Sequence, residues 1–212
     1  MKNAVYLLRS INLPYALDAI ERVVAAMFLG IFSLRLIQAY VETGTPHYLI
    51  LIFSEYLVVG FIIFRRTTDK ISLKPSDWCI AIAGTTLPML VTPGGTQLVS
   101  GAISGILMLI GIAMSIWAKT SLRCSFGVVA ANRGVKTRGP YNFIRHPMYL
   151  GYFLTHVGYL LSNPTLWNFT IYAATVIFQI LRISAEEHIL SKDSKYLTYA
   201  TNIRHKLIPG IY

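Results

Sequence analysis

Residues 98–118 read LVSGAISGILMLIGIAMSIWA, 21 positions without a charged side chain. At 1.5 Å per residue, about 20 apolar residues are needed for an α-helix to cross the roughly 30 Å hydrocarbon of a bilayer. This stretch is long enough. Working outward, further apolar stretches occupy 14–40, 47–64, 78–92, 147–161 and 164–183. The pattern predicts an all-α, polytopic membrane helix bundle of about six spans. The third and fifth stretches, about 15 residues each, are short enough to be tilted, interfacial or partly buried.

Composition agrees with a bilayer environment. Hydrophobic residues make up 54% of the 212 and charged residues only 13%, with a mean hydropathy of +0.54, whereas soluble domains carry about 25% charged residues. The distribution of the cations is informative as well. With the N-terminus cytoplasmic, 17 of the 19 Lys and Arg fall on the cytoplasmic side and the outer loops receive none, as the positive-inside rule requires. Arg22 and Arg35 are the other two, inside the first span, where Asp18, Glu21 and Arg22 form an interfacial turn able to pair or snorkel. The net charge of +10 is thus explained by topology and by attraction to anionic headgroups, not by nucleic acid binding. Both termini are expected in the cytoplasm, and a compact chain of this bias suits a prokaryotic plasma membrane.

No signal-peptide pattern opens the chain, so Met1 reads as a retained start. Cys79 and Cys124 give neither a disulfide framework nor a metal-ligand spacing. One membrane domain is expected, with 1–118 supplying N-terminal helices and 119–212 a catalytic region. Glu55, in the second span, reads as a contact to another span or a cavity wall. His156, in the fifth, reads as a helix-to-helix hydrogen bond.

Chemistry is concentrated in two cytoplasmic segments, 119–145 and 184–212, that flank the last two spans. A tight outer turn at Ser162, Asn163 and Pro164 folds those spans into a hairpin and brings both segments to one face. In the first segment, residues 139–151 read GPYNFIRHPMYLG. Pro140 rigidifies a turn and Pro147 starts a helix at its first position, which puts Arg145 and His146 at a helix N-terminus that favours anions. In the second, Arg182 and Glu186 stand at i,i+4 spacing on one helix face and form an ion pair, with Glu187 beside them. Residues 184–202 read as an amphipathic helix able to lie over the site as a lid.

Taken in order, these features resemble the integral-membrane methyltransferases that include isoprenylcysteine carboxyl methyltransferase and the phospholipid N-methyltransferases. The likeness spans 122–212: GVKT at 134–137 leading into GPY at 139–141, RHPMYLG at 145–151, a hairpin, Arg182 with Glu186 and Glu187, and a tyrosine-rich tail ending LIP at 207–209. The resemblance implies a cytosolic pocket for S-adenosylmethionine that opens laterally to the bilayer, where a lipidic substrate enters. It assigns Gly134, Val135 and Lys136 to backbone contacts with the adenosyl part, Tyr141, His146, Pro147 and Tyr149 to the cofactor lining, and Glu186, with Glu187, to its ribose or amino group. Arg182 would face the methyl acceptor, with Arg145 in reserve. The tail departs from the family pattern, being short between Glu187 and Tyr196 and lacking a Phe-Gly pair.

Methyl transfer from a sulfonium is an in-line displacement from an activated donor, so positioning supplies most of the catalysis, about 7–11 kcal/mol in good near-attack geometry. A carboxylate acceptor, as in the isoprenylcysteine enzymes, suits a bidentate arginine. An amine or thiol acceptor needs a base, for which His146 and Glu187 are the candidates. A nicotinamide-dependent membrane reductase of related fold and a non-catalytic membrane protein are the alternatives, and oligomeric state is open.

Overall fold

A computed structural model describes residues 13–44, 47–208 and 210. Met1, Lys2, Arg9, Pro209 and the side chain of Glu55 lie outside the described residues. The chain forms seven α-helices among the described residues: α1 Leu13–Thr43, α2 His47–Ile63, α3 Pro75–Thr86, α4 Gly101–Leu122, α5 Pro147–Ser162, α6 Leu166–Leu190 and α7 Ser194–Asn202. One isolated antiparallel bridge, Ile71 to Ala131, ties the loop after α2 to the loop after α4.

Three of these helices, α1, α4 and α6, are long and apolar enough to cross a membrane. Of the about six spans expected, these three meet the length and hydropathy of a full crossing among the described residues. In the third stretch the helix ends at Thr86, where Pro88 tightens the chain into a 3-10 turn over Leu87–Leu90. The fifth is bounded by Pro147 and by the Asn163-Pro164 turn. Large apolar side chains such as Met27, Ile31, Ile103, Ile106, Phe169 and Ile177 are exposed on the three long helices, the surface a lipid solvent would cover.

Packing between helices rests on small residues. A Cβ on Gly111 of α4 would lie 2.6 Å from the Gly151 carbonyl of α5, and one on Gly158 would lie 2.9 Å from the Ser104 carbonyl. Only glycine permits backbones this close, the usual device of helix association in lipid. As expected, α5 and α6 form a hairpin, but each packs mainly elsewhere, α5 along α4 and α6 along α3. The outer end is closed by fully buried Asn168, whose amide donates to the carbonyls of Thr92 and Asn163 and accepts from the Thr92 N–H. His156 meets α6 by stacking on Tyr172, ring centroids 4.6 Å apart, a ring contact in place of the expected hydrogen bond.

At the other end, α6 continues to Leu190, and a break at 191–193 separates it from α7. The amphipathic helix thus starts ten residues later than expected, with Glu186 and Glu187 still on the long helix. Asp193 caps α7 by accepting from the Lys195 N–H at 2.9 Å.

Candidate active site

The two ends of the hairpin and the loop after α4 enclose a narrow cleft of about 90 Å3. Its floor is apolar, from Leu122, Phe126, Met148 and Leu190; one wall is the backbone run Gly134, Val135 and Lys136; the opposite wall carries Tyr141, His146, Tyr149 and Glu186. Gly134 adopts φ +101, a conformation that favours glycine.

Local chemistry explains how the walls are held. The Arg145 and His146 N–H groups donate to the carbonyls of His205 and Lys206, at 3.0 and 2.8 Å, so the tail after α7 runs beside the start of α5. The anion that a helix N-terminus favours is supplied by the protein itself. Glu187 accepts from Arg145 Nη1 at 2.6 Å, shares a proton with His146 Nε2 at 2.7 Å and accepts from the Tyr196 hydroxyl at 2.5 Å. Burial and the Glu187 carboxylate push the Tyr196 hydroxyl up, so it stays a neutral donor. Tyr199 donates to the Tyr141 carbonyl at 2.7 Å, and α7 is thereby fastened to the end of α6 and to the wall that carries Tyr141. Burial, with Glu186 nearby, pushes the Tyr141 hydroxyl well above its ordinary range. Asp193 accepts from the Asn132 amide at 2.8 Å, while Asn132 accepts from the Gly134 N–H at 2.9 Å. The start of α7 and the glycine loop of the cleft wall share that one side chain. Asp193's carboxyl is held below its ordinary value, first by Asn132.

Arg182 sits behind the cleft, 5% exposed, with its guanidinium 5.6 Å from the Tyr149 ring centroid. Its contacts are long: Nη1 to the Thr85 hydroxyl at 3.4 Å, Nη2 to the Gly127 carbonyl at 3.4 Å, Nε to Glu186 at 3.7 Å. Glu186 instead takes the Tyr149 hydroxyl. Thr85 belongs to a second, mainly apolar groove of about 340 Å3, lined by Val24, Phe28 and Leu29 of α1, Trp78 and Ile82 of α3, and Val129, with Glu21 and Thr86 also in its wall. Gly127 belongs to the polar cleft, and Val129 lines both. Arg182 thus lies behind both cavities and touches one lining residue of each, Thr85 and Gly127.

The loop between the cavities is anchored to α1 by a buried charge cluster. Asp18 and Glu21 meet Arg65 and Arg133, with Arg65 to Glu21 and Arg133 to Asp18 both at 2.6 Å and every one of these side chains at most 3% exposed. The second Glu21 oxygen accepts from the N–H groups of Val128 and Val129, at 2.6 and 3.0 Å. Arg22 does pair with Asp18, at 3.7 Å, and donates to the Arg65 carbonyl.

Of the residues singled out in the sequence, Gly134, Val135, Lys136, Tyr141, Arg145, His146, Tyr149 and Glu186 line one cleft. Pro147 is buried behind it, and Glu187 is turned to Arg145, His146 and Tyr196 instead of the cleft. Sequence reading missed Arg133 and Asn132. Arg133 has partners more than a hundred positions away, on α1, and no local pattern announces them.

The cleft suits an amphiphilic nucleoside: an apolar floor for a base, a carboxylate for hydroxyls or an ammonium, and a glycine-bearing backbone wall. Residues 96–194 match the family model for phospholipid methyltransferase. The match begins upstream of the motif region, includes all of α4, and stops at the start of α7. No curated protein matches the chain.

Proposed function

We propose, from a chain whose residues 96–194 match the family model for phospholipid methyltransferase, that it moves a methyl group from S-adenosylmethionine to a lipid-borne acceptor at the cytoplasmic face. The observation behind this reading is Arg182, a buried guanidinium with only long contacts, placed between a polar cleft and an apolar groove and touching one lining residue of each. The cleft has the polarity for the donor and the groove the polarity for a lipid chain, so Arg182 marks where they meet.

S-adenosylmethionine would supply an activated methyl group on a sulfonium. The backbone of Gly134, Val135 and Lys136 would hold its adenosyl part, Tyr141, His146 and Tyr149 would line it, and Glu186 would take its ribose hydroxyls or amino group. The α7 tyrosines exclude water from above, and orienting donor and acceptor is then the main catalytic contribution. Arg182 would orient an anionic group on the acceptor by charge-assisted hydrogen bonds. A carboxylate acceptor, of the isoprenylcysteine kind, uses Arg182 directly. The family match favours a second reading, an amine on a phospholipid whose phosphate Arg182 holds. The amine must then lose a proton, and His146 and Glu187, which hold one another, are the candidates to accept it. The cation bias of the sequence supports cytoplasmic termini and a prokaryotic plasma membrane.

Titration calorimetry with S-adenosylhomocysteine, beside NADPH, tests the cofactor. Binding of the former alone is expected; binding of NADPH alone would replace this reading with a reductase. Labelled methyl transfer into lipid extracts then separates the acceptors, since a methyl ester releases volatile label in base and an N-methyl group keeps it.

A further inference from the structure

We propose a second ligand site, beside the cofactor cleft, for the phosphodiester of an anionic membrane phospholipid. On the far side of the loop wall lies a hollow of about 610 Å3 lined by Trp117, Thr120, Ser121, Arg123, Val135, Lys136, Thr137 and Arg138. Three of these side chains are cations and none is a carboxylate. Among the described residues, no ion pair engages Arg123, Lys136 or Arg138. The buried arginines of the same loop system behave differently, each within 2.6 Å of a carboxylate. The Thr120 and Ser121 hydroxyls donate to the Trp117 carbonyl, so the recognition rests on the cations, and a pocket of unpaired cations is complementary to a phosphate.

Depth in the membrane identifies the source of that phosphate. Trp117 is 48% exposed near the end of α4, a helix long and apolar enough to span. Tryptophan at such a position sits at headgroup level, and the cations follow it directly in space. Arg123 adds an independent sign. It ends α4 with φ 49 and ψ −126, where it is the only described non-glycine residue at positive φ. Glycine would adopt that conformation without strain, and an arginine held there points to a use for its charge.

The site also has a route to the enzyme's own chemistry. Val135 and Lys136 line both the hollow and the cofactor cleft, so a lipid phosphate on Lys136 would steady the loop wall from behind. Binding itself needs no methyl transfer, and its test is independent of the activity.

The full chain is placed in vesicles of phosphatidylcholine alone, or of phosphatidylcholine with phosphatidylglycerol, with either lipid brominated on its acyl chains near the headgroup. The quenching difference between the parent protein and Trp117→Phe isolates the signal of Trp117. Brominated phosphatidylglycerol is expected to quench it at much lower mole fraction than brominated phosphatidylcholine. The preference should fall roughly fivefold for each cation removed in Arg123→Gln and Arg138→Gln. Native mass spectrometry of the parent and the double variant, released from mixed-lipid nanodiscs, should show retained phosphatidylglycerol on the parent only. Equal quenching by the two lipids, or a preference unchanged in the double variant, would overturn the site. So would its loss to inorganic phosphate but not to chloride of equal ionic strength, which would make it a site for the free ion.

Discussion

Two charged regions of this molecule use the same residue types to opposite ends. Under α1, Asp18, Glu21, Arg65 and Arg133 form a closed cluster in which two carboxylates meet two guanidiniums at 2.6 to 3.1 Å, all nearly inaccessible. Forty-nine residues beyond Arg133, Arg182 is equally buried but has no polar partner closer than 3.4 Å. A closed network fixes backbone, here Val128 and Val129 through Glu21. An open one keeps its electrostatic capacity for something that arrives later. Burial raises the stakes in both, because a charge removed from water must find its partner in the protein or in a ligand.

If that contrast is right, substitutions in the two regions should separate stability from activity. Arg133→Ala leaves two carboxylates buried with one strong partner fewer, and a loss of about 3–5 kcal/mol is expected, read as a large fall in Tm in detergent. A protein that melts normally without Arg133 would erase the distinction. Arg182→Ala should leave folding and S-adenosylhomocysteine affinity in place and lower turnover by about 10²–10³, the cost of losing one preorganised charge stabiliser. Loss of affinity together with turnover would show that Arg182 merely holds Glu186.

Glu186→Ala comes next, with a roughly 10- to 100-fold weaker S-adenosylhomocysteine Kd, the range for one hydrogen bond to a charged group. Calorimetry decides it, and an unchanged Kd would remove Glu186 from the cofactor site. The smallest effect concerns the lid. Asp193 titrates below its ordinary value because Asn132 and the Lys195 N–H favour its charged form, so its contribution is complete above the ordinary aspartate range and is lost as pH falls through the lowered value. Hydrogen exchange of the α7 amides should quicken over that acid window in the parent and show no such step in Asp193→Asn.

Sequence reading was most successful where a feature is local. The hairpin turn at Ser162 to Pro164, the helix start at Pro147, and the one-face spacing of Arg182 and Glu186 follow from backbone restriction and helical period, and all appear in the fold. Helix lengths were less readable, since α6 runs through Glu186 and Glu187 to Leu190. The charges there are paired by Arg145, His146 and Tyr149 and no longer mark the end of the span. Glu187, which the resemblance assigned to the cofactor together with Glu186, is engaged by Arg145, His146 and Tyr196.

By itself, then, the sequence determined a helical membrane protein, the cation-rich face, the family-like order of motifs and most of the residues around the cleft, because hydropathy, charge and helix periodicity act over short distances. Tertiary structure alone decided which charges are spent inside the protein and which remain available. That choice depends on contacts such as Glu21 to Val128 and Arg133 to Asp18, separated by more than a hundred residues. Electrostatics in a low-dielectric interior is settled by distances of a few ångströms, which chain order does not specify.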